Sequence, residues 1–249
     1  MRAIVLSAGQ GSRLLPLTFD RPKCLLPVGS RSVLHWQLEA LRQCREIDEV
    51  IVVTGFKAEM VDAALAEMGA AAESVRTLFN PFYKVADNLA SCWMALEFMD
   101  DEFLIVNGDS LFEMAVLPRI VAGASAPINL TVNRKAEYDS DDMKVTLEGN
   151  LVRAVGKTLM PAETQAESIG VVLFRGEGPS LFRRVVEQSM HEAWGVGAWY
   201  LQVIDRLAKE GHVGATDIGK LEWGEIDFPS DLEVVSRLAA GWEKLRIVA

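Results

Sequence analysis

Apolar and polar residues follow two periods along the chain. The run "AIVLS" (3–7) is continuously apolar and stops at a glycine loop, as a strand covered on both faces does. "VLHWQLEALRQC" places Val33, Leu34, Trp36, Leu38 and Leu41 on a helical stripe. "EVIVVTG" reads as the next strand, and "KAEMVDAALAEMG" as a helix stopped by Gly69. "SVRTLFN" is a third strand, broken by Pro81. "NLASCWMALEFM" predicts one helix with Leu89, Trp93, Leu96 and Met99 inward, and "EFLIVNGD" a fourth strand. This β-α-β-α order predicts an α/β fold with a mainly parallel sheet and right-handed crossovers.

The pattern changes after residue 112. "PINLTVNR" is a strand, and "MKVTLEGNLVRAVG" a hairpin turning near Glu148-Gly149-Asn150. "ESIGVVLFR" is a further strand. The helices "PSLFRRVVEQSM" and "AWYLQVIDRLAKEG" follow, then the strand "HVGATDIG". "PSDLEVVSRLAAGWEKL" closes the chain as a helix, with Ser230 as its expected cap. No repeat, low-complexity tract or Gly/Ser linker interrupts it. The expectation is a single domain over 1–249, with a nucleotide-binding part over about 1–112 and an acceptor-binding part over about 113–249.

Composition narrows the function classes. The 249 residues carry a formal charge of -10, which argues against broad electrostatic capture of nucleic acid. No apolar stretch is long enough for a membrane helix, and no leader-like segment is visible. The three cysteines, Cys24, Cys44 and Cys92, suit neither a disulfide framework nor a zinc site. Reduced thiols and a cytoplasmic location are expected. A homodimer is the default for a soluble enzyme.

Candidate chemistry starts at the first loop. Gly9 and Gly11 permit a tight turn that brings backbone N–H groups onto an anion. The spacing lacks the third glycine of a dinucleotide fingerprint, because Leu14 stands there, and it lacks the Gly-Lys-Ser/Thr of a P-loop. It offers Arg13 and Lys23 as separate cations, which suit a triphosphate; a plain glycine turn with surface charges is the alternative.

The whole run "LSAGQGSRLLPLTFDRPKCLLPV" resembles the signature of the sugar-phosphate nucleotidylyltransferase superfamily, filled from Ala8 to Val28. The resemblance implies a Rossmann-like, mostly parallel mixed sheet flanked by helices, of the nucleotide-diphospho-sugar transferase type. It implies that Gly9, Gly11, Ser12 and Arg13 hold the nucleotide phosphates. Lys23 would neutralise charge near the α-phosphorus, and the backbone near Leu6 and Ala8 would meet the base. "VNGDSLF" and "WGEIDFPSDLEVV" resemble the family's two metal-binding segments, implying Asp109 and Asp227 as Mg²⁺ ligands. Asp231 is expected in the first turn of the last helix, where its charge favours the N-terminal dipole.

"NPFYKVADNLASCWMA", "YDSDDMKVTLEGNLVRAVGKTL" and "AESIGVVLF" resemble the choline-phosphate cytidylyltransferase-like branch, with Cys92 where leucine is usual. That implies CTP as nucleotide, Asn88 and Ser91 near it, and a small phosphorylated or phosphonate acceptor. Lys144 and Lys157 are candidates for the acceptor phosphate. Glu167, Trp199 and Tyr200, with Asp142, Trp93, Trp194 and Trp223, would suit a cationic amine; core packing is the alternative for the aromatics. A sugar-1-phosphate nucleotidylyltransferase using UTP, GTP or CTP, and a non-catalytic nucleotide-binding regulatory subunit, are the competing readings. No Ser-His-Asp or Cys-His arrangement is found, and His35, His191 and His212 read as structural.

Overall fold

A computed structural model describes residues 1–248, with side chains through Lys244. Ala249, the end of the expected domain, lies outside the described residues. The N-terminal half winds as β1 (Arg2–Ser7), a short ribbon of β2 (Pro27–Val28) and β3 (Arg31–Ser32), α1 (Val33–Gln43), β4 (Glu49–Thr54), α2 (Ala58–Met68), β5 (Val75–Phe79), α3 (Asn88–Met94) and β6 (Phe103–Asn107). Then come β7 (Ser110–Phe112), α4 (Val116–Gly123), β8 (Ile128–Asn133), the hairpin β9 (Lys144–Glu148) and β10 (Leu151–Gly156), and β11 (Ala166–Phe174). The chain ends with α5 (Gly178–Met190), α6 (Tyr200–Lys209), β12 (Val213–Asp217), β13 (Trp223–Glu225) and α7 (Pro229–Val248).

Among the described residues, nine strands form one sheet in the order β5-β4-β1-β6-β11-β8-β12-β10-β9. The four strands β5, β4, β1 and β6 are parallel, as their helical crossovers require. β11 joins β6 antiparallel, and β8 and β12 pair parallel beyond it. The expected α/β class is therefore found, with its parallel part concentrated in the first half. The core covers both faces of the sheet. On one face Phe103 and Phe174 stack at 4.2 Å, and Phe182 of α5 closes on Phe174 at 4.7 Å.

Two local expectations are corrected. The predicted long helix ends at Met94 and tightens into a 3-10 turn over Leu96–Phe98. Fully buried Cys92 takes the inward slot, leaving Trp93 42 % exposed at the rim. Ser230 lies inside α7 rather than capping it, and Asp231 takes its expected place in the first turn. The Asp231 carboxylate accepts from the backbone N–H groups of Asp227 (2.8 Å) and Phe228 (2.7 Å), while the Ser230 hydroxyl only donates to that carboxylate. A charged acceptor outcompetes a hydroxyl for such donors.

Candidate active site

A cleft of about 370 Å³ opens at the carboxyl ends of β1 and β6, where open α/β sheets bind ligands. Its floor is the loop after β1. Gly11 has φ +73°, which favours glycine, and a Cβ there would sit 3.1 Å from the Lys23 stem. The missing side chain is what lets Lys23 run along the loop. The loop is held from beneath by buried Thr18, whose hydroxyl donates to the Gly11 carbonyl at 2.9 Å.

Lys23 ends between two carboxylates distant in sequence. Its Nζ lies 2.7 Å from Asp109 Oδ2 and 2.9 Å from Asp227 Oδ1. Asp109 leaves β6 one residue after Gly108, whose N–H donates to the Leu6 carbonyl. Asp227 is delivered by the antiparallel ribbon of β7 and β13, in which Glu225 pairs with Ser110. The ribbon is closed by the Ile226 N–H on the Asp109 carbonyl. Arg13 Nη2 also reaches Asp227 Oδ1, at 2.8 Å, with its guanidinium over the Phe228 ring.

Charge follows this geometry. Burial alone would lower the Lys23 pKa, but the charges of Asp109 and Asp227 outweigh it and the net shift is upward. Burial opposes the Asp227 charge, yet Lys23 and Arg13 hold its carboxyl below the usual range. Glu225, a third carboxylate on the cleft wall, has its pKa pushed up to about 8, first by burial and then by Asp109 and Asp227.

The pair fits a divalent cation. Asp109 Oδ1 is buried and has no hydrogen-bond partner among the described residues, and the Lys23 ammonium already stands between both carboxylates as a cation would. Hard oxygen donors with room for phosphates suit Mg²⁺.

A second recess of about 170 Å³ joins the cleft at Leu6, Gly9, Asp87 and Asn88. Ala8 and Ser91 line it too, so Leu6, Ala8, Gly9, Asn88 and Ser91 share this recess while Gly11 and Ser12 line the main cleft. Ser91 is itself engaged, accepting from Asn80 Nδ2 at 3.0 Å. Asn80, Tyr83 and Asp87 also line this recess and were not singled out from the sequence, although the "NPFY" run that carries two of them was visible.

The expected acceptor residues separate. Lys157 and Trp199 line the cleft, with the Lys157 ammonium over the indole at 5.4 Å and 3.8 Å from Asp141. Lys144 is 2 % exposed, and its Nζ donates to the Lys157 carbonyl at 2.9 Å; it braces Lys157 rather than facing the cleft. Tyr200 is fully buried under β6 with its hydroxyl bonded to Asn107, so it does not reach an acceptor. Glu167 faces an adjoining recess of about 310 Å³, ion-paired to Lys135 at 2.8 Å beside Asp142. Burial raises its pKa to about 7 against the opposing pull of Lys135. That recess meets the cleft at Met143, Ser168 and Glu225.

Comparison with known proteins gives the family. The family model described as Nucleotidyl transferase matches residues 2–137. The chain is 31 % identical over 239 residues to CMP-5'-(3-aminopropyl)phosphonate synthase of Streptomyces rubellomurinus, covering 93 % of this chain and 37 % of that protein. It is 31 % identical over 113 residues to choline-phosphate cytidylyltransferase of Streptococcus pneumoniae, covering 45 % of this chain and 47 % of that one. The aligned segments thus span less than half the length of either curated relative. The solved CTP:phosphocholine cytidylyltransferase of Streptococcus pneumoniae superposes with a TM-score of 0.77 at 19 % identity, covering 96 % and 98 % of the two chains. By the extent of these matches, the chain belongs to the nucleotidyl transferase family.

Proposed function

We propose that the chain is a CTP-dependent cytidylyltransferase that moves CMP onto a small phosphorylated or phosphonate acceptor. The observation that carries this reading is the convergence of Lys23 and Arg13 on the Asp109–Asp227 pair, with Lys157 in the same cleft. The nucleotide lies on the β1 side, with its base in the recess of Leu6, Ala8, Asn88 and Ser91 and its phosphates over Gly9, Gly11, Ser12 and Arg13. The acceptor lies on the β11 side, its phosphorus group drawn by Lys157. Asp109 and Asp227 would hold Mg²⁺, whose charge would offset that of the triphosphate.

The acceptor oxygen attacks the α-phosphorus, forming a new P–O bond as the bond to the β-phosphate oxygen breaks. Pyrophosphate leaves with that electron pair. A phosphate or phosphonate acceptor is already ionised near neutral pH, so no general base is required. Positioning and charge neutralisation do the work, in keeping with a site that has no histidine on its walls among the described residues.

The names of two relatives, an aminopropylphosphonate enzyme and a choline-phosphate one, point to amine-bearing acceptors, and the cleft lining supports a choice within that class. Trp199 is the only aromatic ring lining it among the described residues, and Lys157 covers that ring. A trimethylammonium group prefers an aromatic cage. A primary amine needs only acceptor oxygens, which Asp141 and Glu225 provide. We therefore favour an aminoalkyl phosphonate or phosphate over phosphocholine, with the protein acting in the cytoplasm.

Pyrophosphate release should be measured with CTP, UTP, GTP and ATP against aminoalkylphosphonates, phosphoethanolamine, phosphocholine and sugar 1-phosphates. CTP with a primary-amine acceptor is expected to be fastest. Preference for a sugar 1-phosphate would replace this reading with the sugar-nucleotide one, and nucleotide binding without any turnover would favour a regulatory subunit.

A further inference from the structure

We propose that Asn107 is a catalytic hydrogen-bond donor in the transfer step, and that buried Tyr200 is the residue that positions it. This rests on the nucleotidyl-transfer reading above.

Asn107 is the last residue of β6, the strand between β1 on the nucleotide side and β11 on the acceptor side. It is paired in register with Leu6, it stands two residues before Asp109, and it lines the cleft. The reacting phosphorus must pass between those two halves.

One contact fixes this side chain, and others hold the groups around it. The Tyr200 hydroxyl donates to Asn107 Oδ1 at 3.1 Å. Tyr200 is fully buried, and burial raises its pKa well above the ordinary value, so it remains a donor at any working pH. The Tyr200 backbone N–H donates to Asn88 Oδ1 at 2.8 Å, so one residue aligns both asparagines of the cleft. The main chain of Asn107 is pinned separately. Buried Gln37 donates through Nε2 to the Asn107 carbonyl at 2.7 Å and to the Ser110 carbonyl at 2.8 Å.

With Oδ1 engaged, the amide presents Nδ2. Gly170 makes room for it. β11 loses register between Ser168 and Val172, Gly170 adopts φ +77°, and a Cβ there would fall 2.6 Å from Asn107 Nδ2. No protein acceptor takes the Nδ2 protons among the described residues; the nearby Ser110 Oγ is buried and unpaired. A carboxamide held by one buried tyrosine, on a main chain pinned by a buried glutamine and with its donor end unspent on a cleft wall, is a preorganised donor.

The chemistry has a use for it. As the acceptor oxygen bonds to the α-phosphorus and the bond to pyrophosphate breaks, charge spreads over the non-bridging oxygens. A donor already fixed in place stabilises that charge with no reorganisation. A neutral amide adds a hydrogen bond without another positive charge beside Arg13, Lys23 and Lys157.

The test uses CTP, its two α-thio diastereomers and the best acceptor of the panel. Asn107→Ala should lower kcat about 10²–10³-fold, the usual effect of removing one such donor. The KM for CTP should stay within about threefold. Asn107→Asp, which keeps shape but replaces the donor with an acceptor, should do at least as much, and its melting curve guards against misfolding. Tyr200→Phe should lower kcat about tenfold at unchanged KM, because the amide is freed but not removed. The wild-type preference between the thio diastereomers should shrink in both Asn107 variants. A kcat within threefold of wild type in Asn107→Ala, a loss confined to KM, or an unaltered thio preference overturns the proposal. Turnover that survives these variants overturns this inference alone; absence of turnover by the wild-type chain with every pair overturns the transfer reading and this inference with it.

Discussion

Replacing Lys23 with methionine tests the charge balance of the cleft before any substrate is added. The substitution keeps the stem that runs past Gly11 and removes the ammonium from between Asp109 and Asp227. The side chains of Lys23, Asp227 and Asp109 are only 14, 12 and 26 % exposed, so the values for surface ion pairs do not apply. Removing one partner of a buried pair costs about 3–5 kcal/mol, because the other charge stays buried. Arg13 still reaches Asp227 at 2.8 Å, which places the expected loss at the lower end, about 3 kcal/mol. At about 2–4 °C per kcal/mol for a chain of this size, Tm should fall by roughly 6–12 °C. The lysine's own titration does not confuse this reading. Its folded pKa is raised, so its contribution is complete below the ordinary value and is lost only when pH rises through the higher one. The assay is thermal unfolding in EDTA between pH 7 and 8, followed by titration with MgCl₂. Magnesium should raise the variant's Tm more than the wild type's, since it then meets two uncompensated carboxylates. A variant within about 2 °C of wild type in EDTA, or one indifferent to magnesium, would refute the paired-carboxylate argument.

Other outcomes follow from separate parts of the molecule. Glu167 has its folded pKa raised to about 7, so the folded state binds more protons than the unfolded one between about 4.5 and 7, and this residue makes stability fall as pH rises through that window. Denaturant unfolding of Glu167→Gln should therefore gain about 2–3 kcal/mol on wild type between pH 5 and pH 8; a constant difference would contradict the burial argument. Phe174→Ala should lose about 3–5 kcal/mol by emptying the stack with Phe103 and Phe182, with kcat unchanged well below Tm. Cys24, Cys44 and Cys92 are buried, with Cys24 pushed up to about 12 and Cys44 to about 11, so a thiol reagent should label none of them until the protein unfolds. Rapid labelling of the native protein would show that the core around them opens.

The legibility of the site varied with how local its determinants are. Arg13 and Lys23 stand in one continuous run with the glycines they flank, so residue order alone placed them together. Asn80 and Tyr83 were within a visible run, yet only the closure of their loop onto Leu6 and Ala8 shows that they form a wall. The positions of Glu167, Lys144 and Tyr200 are not written in residue order, for two reasons. β11 is buried along its whole length, so alternation cannot say which side Glu167 faces. Lys144 and Tyr200 carry polar tips that reach hydrogen-bond partners inside the protein, which residue type does not reveal.

The sequence by itself determined the α/β class, the strand and helix order and the phosphate loop. Hydrophobic period, glycine placement and short-range spacing act locally and are written in consecutive residues. Only the tertiary structure decided that Asp227 meets Asp109 through the β7–β13 ribbon, that Lys23 bridges them, and that Tyr200 serves Asn107 from beneath the cleft. Those contacts join residues separated by 86, 93 and 204 positions. They are set by strand order and by which buried polar atoms find partners, and both are properties of the packed molecule.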